Sequence, residues 1–124
     1  MYKRKIESFL LDWKNTPNHK PLVIKGCRQC GKTSSVVAFA KKHYKHVIYI
    51  DFHEQEQLCA LFAGSLSVDY LTMAISASVP GAQFVPHNTC LVLDEIQNCP
   101  RARSSLKFFM KDGRYDVICT SSLL

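Results

Sequence analysis

The segment Gly26 to Thr33, GCRQCGKT, constrains this chain more than any other. It fits GxxxxGKT at every fixed position and stands between a short apolar run, LVIK, and a stretch of helical spacing, TSSVVAFAKKHY. A strand running into a glycine-rich turn and then a helix is the context that close approach to phosphate needs. The glycines let the backbone wrap around phosphate oxygens, with several N–H groups pointing inward at the positive end of the helix. Lys32 adds a full charge at the β- and γ-phosphates, and the Thr33 hydroxyl is placed to ligate magnesium. The expected nucleotide-binding residues are therefore Gly26, Cys27, Arg28, Gln29, Cys30, Gly31, Lys32, Thr33 and Ser34.

A second motif, LVLDE at residues 91–95, narrows the chemistry. Asp94 falls at the carboxyl end of an apolar strand, where ligands sit in open parallel sheets. With Thr33 it forms the expected metal pair for Mg2+. Glu95, one residue on, suits a general base that orients and deprotonates a water. The plain alternative is a turn carboxylate. The catalytic pair expected here is Glu95 with Lys32.

Around these motifs the pattern alternates. Ile6, Phe9, Leu10 and Trp13 recur at spacings of three and four, one apolar face of a helix, before the turn-forming cluster NTPNHKP. HVIYIDF has the β-branched and aromatic content of a buried strand. Helical stretches are expected at 55–62, 68–78 and 101–111, a loop at PGAQFVPHN, and further strands at 91–93 and 115–120. Strand alternating with helix argues for an α/β fold, a mostly parallel sheet covered by helices on both faces. The chain ends at SSLL, just after the fourth strand, so it is read as the N-terminal part, residues 1–124, of a longer domain.

Charge is unevenly placed. Residues 1–50 carry eleven Lys or Arg against two acids, and residues 51–124 five against eight. A basic half around the loop suits polyphosphate or nucleic acid; a solvated basic face is the other reading. No apolar run approaches the roughly 18 to 20 residues that span a bilayer. Glu7 and Asp12 interrupt what would have to be the apolar stretch of a secretory signal, so a cytoplasmic protein with no membrane partner is expected. Of the six cysteines, Cys59, Cys90, Cys99 and Cys119 are read as ordinary buried or turn residues with reduced thiols. Cys27 and Cys30 form a CxxC pair that elsewhere binds zinc or does redox work, but no partner cluster at metal spacing follows.

Together, KPLVIKGCRQCGKTSSV, CLVLDEIQNCP and VICTSSLL resemble the AAA-like ATPases of bacteria and archaea whose phosphate loop reads RQxGKT and whose Asp-Glu strand continues DEIQ with a proline soon after. The matching residues are Arg28, Gln29, Gly31, Lys32 and Thr33, then Asp94, Glu95, Ile96, Gln97 and Pro100. The resemblance implies a three-layer P-loop NTPase sandwich, ATP and Mg2+ as cofactors, and a fourth strand inserted between those bearing the two motifs. On that strand it implies that Thr120 or Ser121 senses the γ-phosphate or positions the water, a satisfied turn hydroxyl being the alternative. It also implies an arginine finger supplied in cis or by a protein partner or a second copy. Family members carry a glycine after the threonine of that strand, where this chain has Ser121.

The leading functional expectation is ATP binding, with Mg-dependent hydrolysis in the complete protein. The competing one is a nucleotide-gated binding module or a remnant of little turnover, with a DNA-associated role left open by the basic half. No NKxD or DxxG pattern supports a GTPase.

Overall fold

The computed structural model describes residues 2–26 and 31–122. Helix α1 (Tyr2–Asn15) leads into β1 (Leu22–Gly26), then α2 (Lys32–His43), β2 (His46–Asp51) and α3 (Val68–Ser78). Strand β3 (Thr89–Asp94), helix α4 (Pro100–Asp112) and β4 (Asp116–Ser122) complete it. The four strands form one all-parallel sheet in the order β1-β4-β3-β2. The inserted strand implied by the resemblance is thus present: β4 separates the strand preceding the phosphate loop from the strand bearing Asp94.

Why this sheet sits between two helical layers follows from the period-two alternation of its residues. Leu22, Ile24, Val47, Tyr49, Cys90, Val92 and Ile118 face Ile6, Leu10, Val36, Phe39 and Ala40 of α1 and α2. Val23, Ile48, Ile50, Leu91, Leu93, Val117 and Cys119 face Leu71, Ile75, Ala102 and Phe109 of α3 and α4. Every residue of β3 is buried, as a central parallel strand covered on both faces requires.

Local signals set the helix ends. The Ser67 hydroxyl accepts the Tyr70 N–H at 3.2 Å and starts α3. Pro100 opens α4, where its missing N–H costs nothing, and Gly113 at φ 74° closes it. Lys41, Lys42 and His43 occupy the last turn of α2, against the negative end of its dipole.

One sequence expectation is refined and one changes. The helical stretch expected at 55–62 is a tight 3-10 helix, Glu56–Phe62. Its short amphipathic run cannot sustain a longer helix and is shaped by tertiary ties. One tie is covalent and corrects the reading of reduced thiols: Cys59 and Cys99 are joined as a disulfide. Folding brings their Cα atoms to 5.7 Å, within disulfide reach, although 40 residues separate them. A second tie is Arg101, which donates to the carbonyls of Phe62 at 3.0 Å and Gly64 at 2.7 Å. Cys90 and Cys119 are free and buried, as expected. No helix among the described residues is long and apolar enough to cross a membrane.

Candidate nucleotide site at the carboxyl ends of the strands

Parallel strands put the carboxyl ends of β1, β3 and β4 side by side, with Gly26 in register with Ser122. The chemistry-bearing residues collect there. Gly31 adopts φ 87°, a left-handed conformation open to glycine, and lets the chain turn into α2. Lys32, the first residue of that helix, is only 3% exposed. Its ammonium donates to the carbonyls of Gly26 at 3.0 Å and Ser121 at 3.1 Å, bridging β1 and β4. Thr33 donates its hydroxyl to Asp94 Oδ1 at 3.0 Å, while Ser34 is exposed on the same turn. Cys27, Arg28, Gln29 and Cys30, the rest of the expected phosphate loop and its CxxC pair, lie outside the described residues.

Asp94 is 6% exposed and accepts three hydroxyls. Besides Thr33, Thr120 donates to Oδ1 and Tyr49 donates to Oδ2 at 2.7 Å. Three hydroxyl donors satisfy and orient this buried carboxylate. Burial and then the Asp94 carboxylate push the Tyr49 phenol well above its ordinary pKa, so it remains a donor.

Glu95 sits at φ 57° and ψ 52°, left-handed for a residue with a side chain. That conformation costs roughly 1 to 2 kcal/mol and persists where surrounding bonds hold it. Its N–H donates to Thr120 Oγ1 at 3.1 Å, and its carbonyl accepts the Asn98 N–H at 3.0 Å. The turn reverses the chain after β3 and aims the carboxylate back across the strand ends. There it accepts the Ser122 hydroxyl at 2.8 Å and the Gln97 amide at 2.9 Å. Burial alone would raise its pKa; the hydrogen bonds from Gln97 and Ser122, with Lys32 nearby, outweigh that and hold it below the ordinary carboxylate range.

Lys32 and Thr33 from the start of α2 and Asp94 and Glu95 from the end of β3 are therefore brought together. Thr120 is brought there too, with its hydroxyl bonded to Asp94 and to the Glu95 backbone. Ser121 contributes its carbonyl, to Lys32. Tyr49 and Ser122 went unassigned in the sequence, and Gln97 was noted only as part of a motif. Ser122 and Gln97 could have been found from position, one residue beyond Ser121 and two beyond Glu95. Tyr49 could not, since only the pairing of β2 with β3 puts its hydroxyl on Asp94.

Residues 18–124 match the family model described as an AAA domain. The chain belongs to the AAA domain family, whose members are nucleotide-binding proteins of the P-loop type. Among curated proteins there is no match to the chain.

Proposed function

We propose that the chain binds ATP together with Mg2+ and that the complete protein hydrolyses it. The observation that carries this reading is the convergence of Lys32, Thr33, Asp94 and Glu95 at the carboxyl ends of β1, β3 and β4, with Thr33 Oγ1 and Asp94 Oδ1 3.0 Å apart. Two adjacent hard oxygen donors suit Mg2+, so the residues fit the ion. Bound there, the metal would neutralise charge on the β- and γ-phosphates. Thr33 and Asp94 would hold it, Tyr49 and Thr120 would keep the carboxylate oriented, and Lys32 would clamp the phosphates. Glu95 takes the proton from the attacking water. The water oxygen bonds to the γ-phosphorus, the bond to the bridging oxygen breaks, and ADP and phosphate leave.

The test is ATP titration of the wild type and Lys32→Ala with magnesium present. Loss of a charge-assisted contact of about 1.5 to 3 kcal/mol should weaken binding about 10- to 100-fold. Equal affinities would remove the phosphate loop from the account. Glu95→Gln should keep ATP and lose turnover by about 10²- to 10⁴-fold. An arginine finger from a partner or a second copy, and a cytoplasmic location, belong to the same reading.

A further inference from the structure

Among the described residues, three buried side-chain polar atoms have no hydrogen-bond partner: Ser35 Oγ, His43 Nε2 and Gln97 Oε1. A serine hydroxyl rotates to find a partner. His43 stacks on Phe39, its ring centroid 4.5 Å away, and lies on the last turn of α2, far along the helix from the site. Gln97 differs from both, because its side chain is bonded to Glu95.

The amide has one orientation that chemistry allows. Nε2 lies 2.9 Å from Glu95 Oε1, and a carboxylate oxygen accepts only, so the NH2 end must face it. Turning the amide over would set a carbonyl oxygen against a carboxylate oxygen. The unpartnered atom is therefore an acceptor, held one amide width from the glutamate. Its base is also fixed. Gln97 is the middle residue of the 3-10 turn Ile96–Asn98, closed by Asn98 N–H to the Glu95 carbonyl and Cys99 N–H to the Ile96 carbonyl, each at 3.0 Å. The residue that follows this turn, Cys99, is anchored by the disulfide. A buried carbonyl without a donor costs free energy, and such a group in a native fold calls for a reason.

We propose that Gln97 is a positioning residue for the nucleophilic water. Its N–H group holds the Glu95 carboxylate, and its carbonyl accepts one hydrogen of the water whose other hydrogen goes to Glu95. Two acceptors on one side of a water direct its lone pair away from them, toward the phosphorus. One proton is transferred to Glu95; the one shared with Gln97 stays on the oxygen that joins phosphate. The inference rests on the hydrolysis reading above and adds to it the group that orients the attacking water.

Gln97→Met keeps the length and volume of the side chain and removes both hydrogen-bonding ends, so a purely packing role would survive it. Three quantities decide, measured on the whole chain: ATP affinity, single-turnover hydrolysis, and the preference for ADP with aluminium fluoride over ADP alone. The variant is expected to bind ATP within about twofold of wild type and melt no lower. Hydrolysis and the aluminium-fluoride preference should each fall by about 10- to 100-fold. Hydrolysis and preference at wild-type levels in Gln97→Met would overturn the proposal. A wild type that binds ATP yet shows no aluminium-fluoride preference also overturns it while leaving nucleotide binding intact. A wild type that fails to bind ATP refutes the parent reading itself.

Discussion

The two ends of the sheet each hold a partly or fully buried aspartate, and they treat it differently. At the amino end, Asp116 opens β4 and accepts the His19 ring at 2.7 Å and the Tyr44 hydroxyl. His19 also faces the Thr16 carbonyl, at 2.9 Å, so both of its ring nitrogens are engaged. Burial and then Asp116 push the Tyr44 phenol far up, which keeps it a donor. The cluster ties the turn after α1, the end of α2 and the start of β4 together through one carboxylate. Beside it lies a cavity of about 370 Å³ flanked by Trp13, Lys20 and Tyr115. At the carboxyl end, Asp94 has three hydroxyl partners and no cation bonded to it among the described residues. In the proposed function this is the end that meets the metal, through hard oxygen donors. One aspartate is held between an imidazole and a phenol; the other is oriented by three hydroxyls.

The sharpest way to break this contrast is to neutralise each aspartate in turn. Asp94→Asn should lower turnover by about 10³-fold, about 4 kcal/mol of barrier, in steady-state hydrolysis with magnesium. Asp116→Asn should leave ATP affinity within about twofold. Its cost should fall on stability, about 1 to 3 kcal/mol, read as a lower urea midpoint. Equal effects on catalysis would erase the distinction between the two ends.

Next in size is the disulfide beside the carboxyl end. Opening the Cys59–Cys99 link, which spans 40 residues, with a dithiol reductant should cost about 4 kcal/mol in the chain-entropy account. A fall in melting temperature of about 15 °C is expected. Cys59→Ser should reproduce it without reductant, and reductant should then add nothing.

Tyr49→Phe removes one neutral donor from Asp94 and should cost about 1 kcal/mol. Magnesium titration of the nucleotide complex should shift by a fewfold with ATP affinity in excess magnesium unchanged. A tenfold loss of ATP affinity there would make Tyr49 part of the nucleotide contact itself.

The smallest effect is a pH dependence. The Glu95 pKa in the fold lies below its ordinary value of about 4.3, so its stabilising share is present above that pH. It is lost as pH falls through the lowered value. Urea midpoints at pH 7 and pH 3 should differ less in Glu95→Gln than in wild type, by under about 1 kcal/mol. A wider gap in the variant would reverse the sign.

Much of the fold was legible because its signals are local. Continuous apolar runs in VIC and LVL mark strands buried on both faces, and Ile6, Leu10 and Trp13 mark one helix face. A helical stretch at 55–62 was legible but its 3-10 form was not, since that shape answers to the disulfide and Arg101 from a segment about 40 residues away. In the site, residues were recognisable where a motif carries them. Roles that depend on which strand lies beside which, such as Tyr49 on Asp94 or Ser122 on Glu95, were not.

The sequence by itself determined the alternation of strand and helix and the presence of Lys32, Thr33, Asp94 and Glu95, because periodicity and short motifs are written in neighbouring residues. Only the tertiary structure decided that β4 lies between β1 and β3, that Thr120 bonds to Asp94, that Cys59 finds Cys99, and that the Gln97 carbonyl is buried beside Glu95 without a donor. These are contacts between segments far apart in the chain, fixed by burying both faces of one sheet at once.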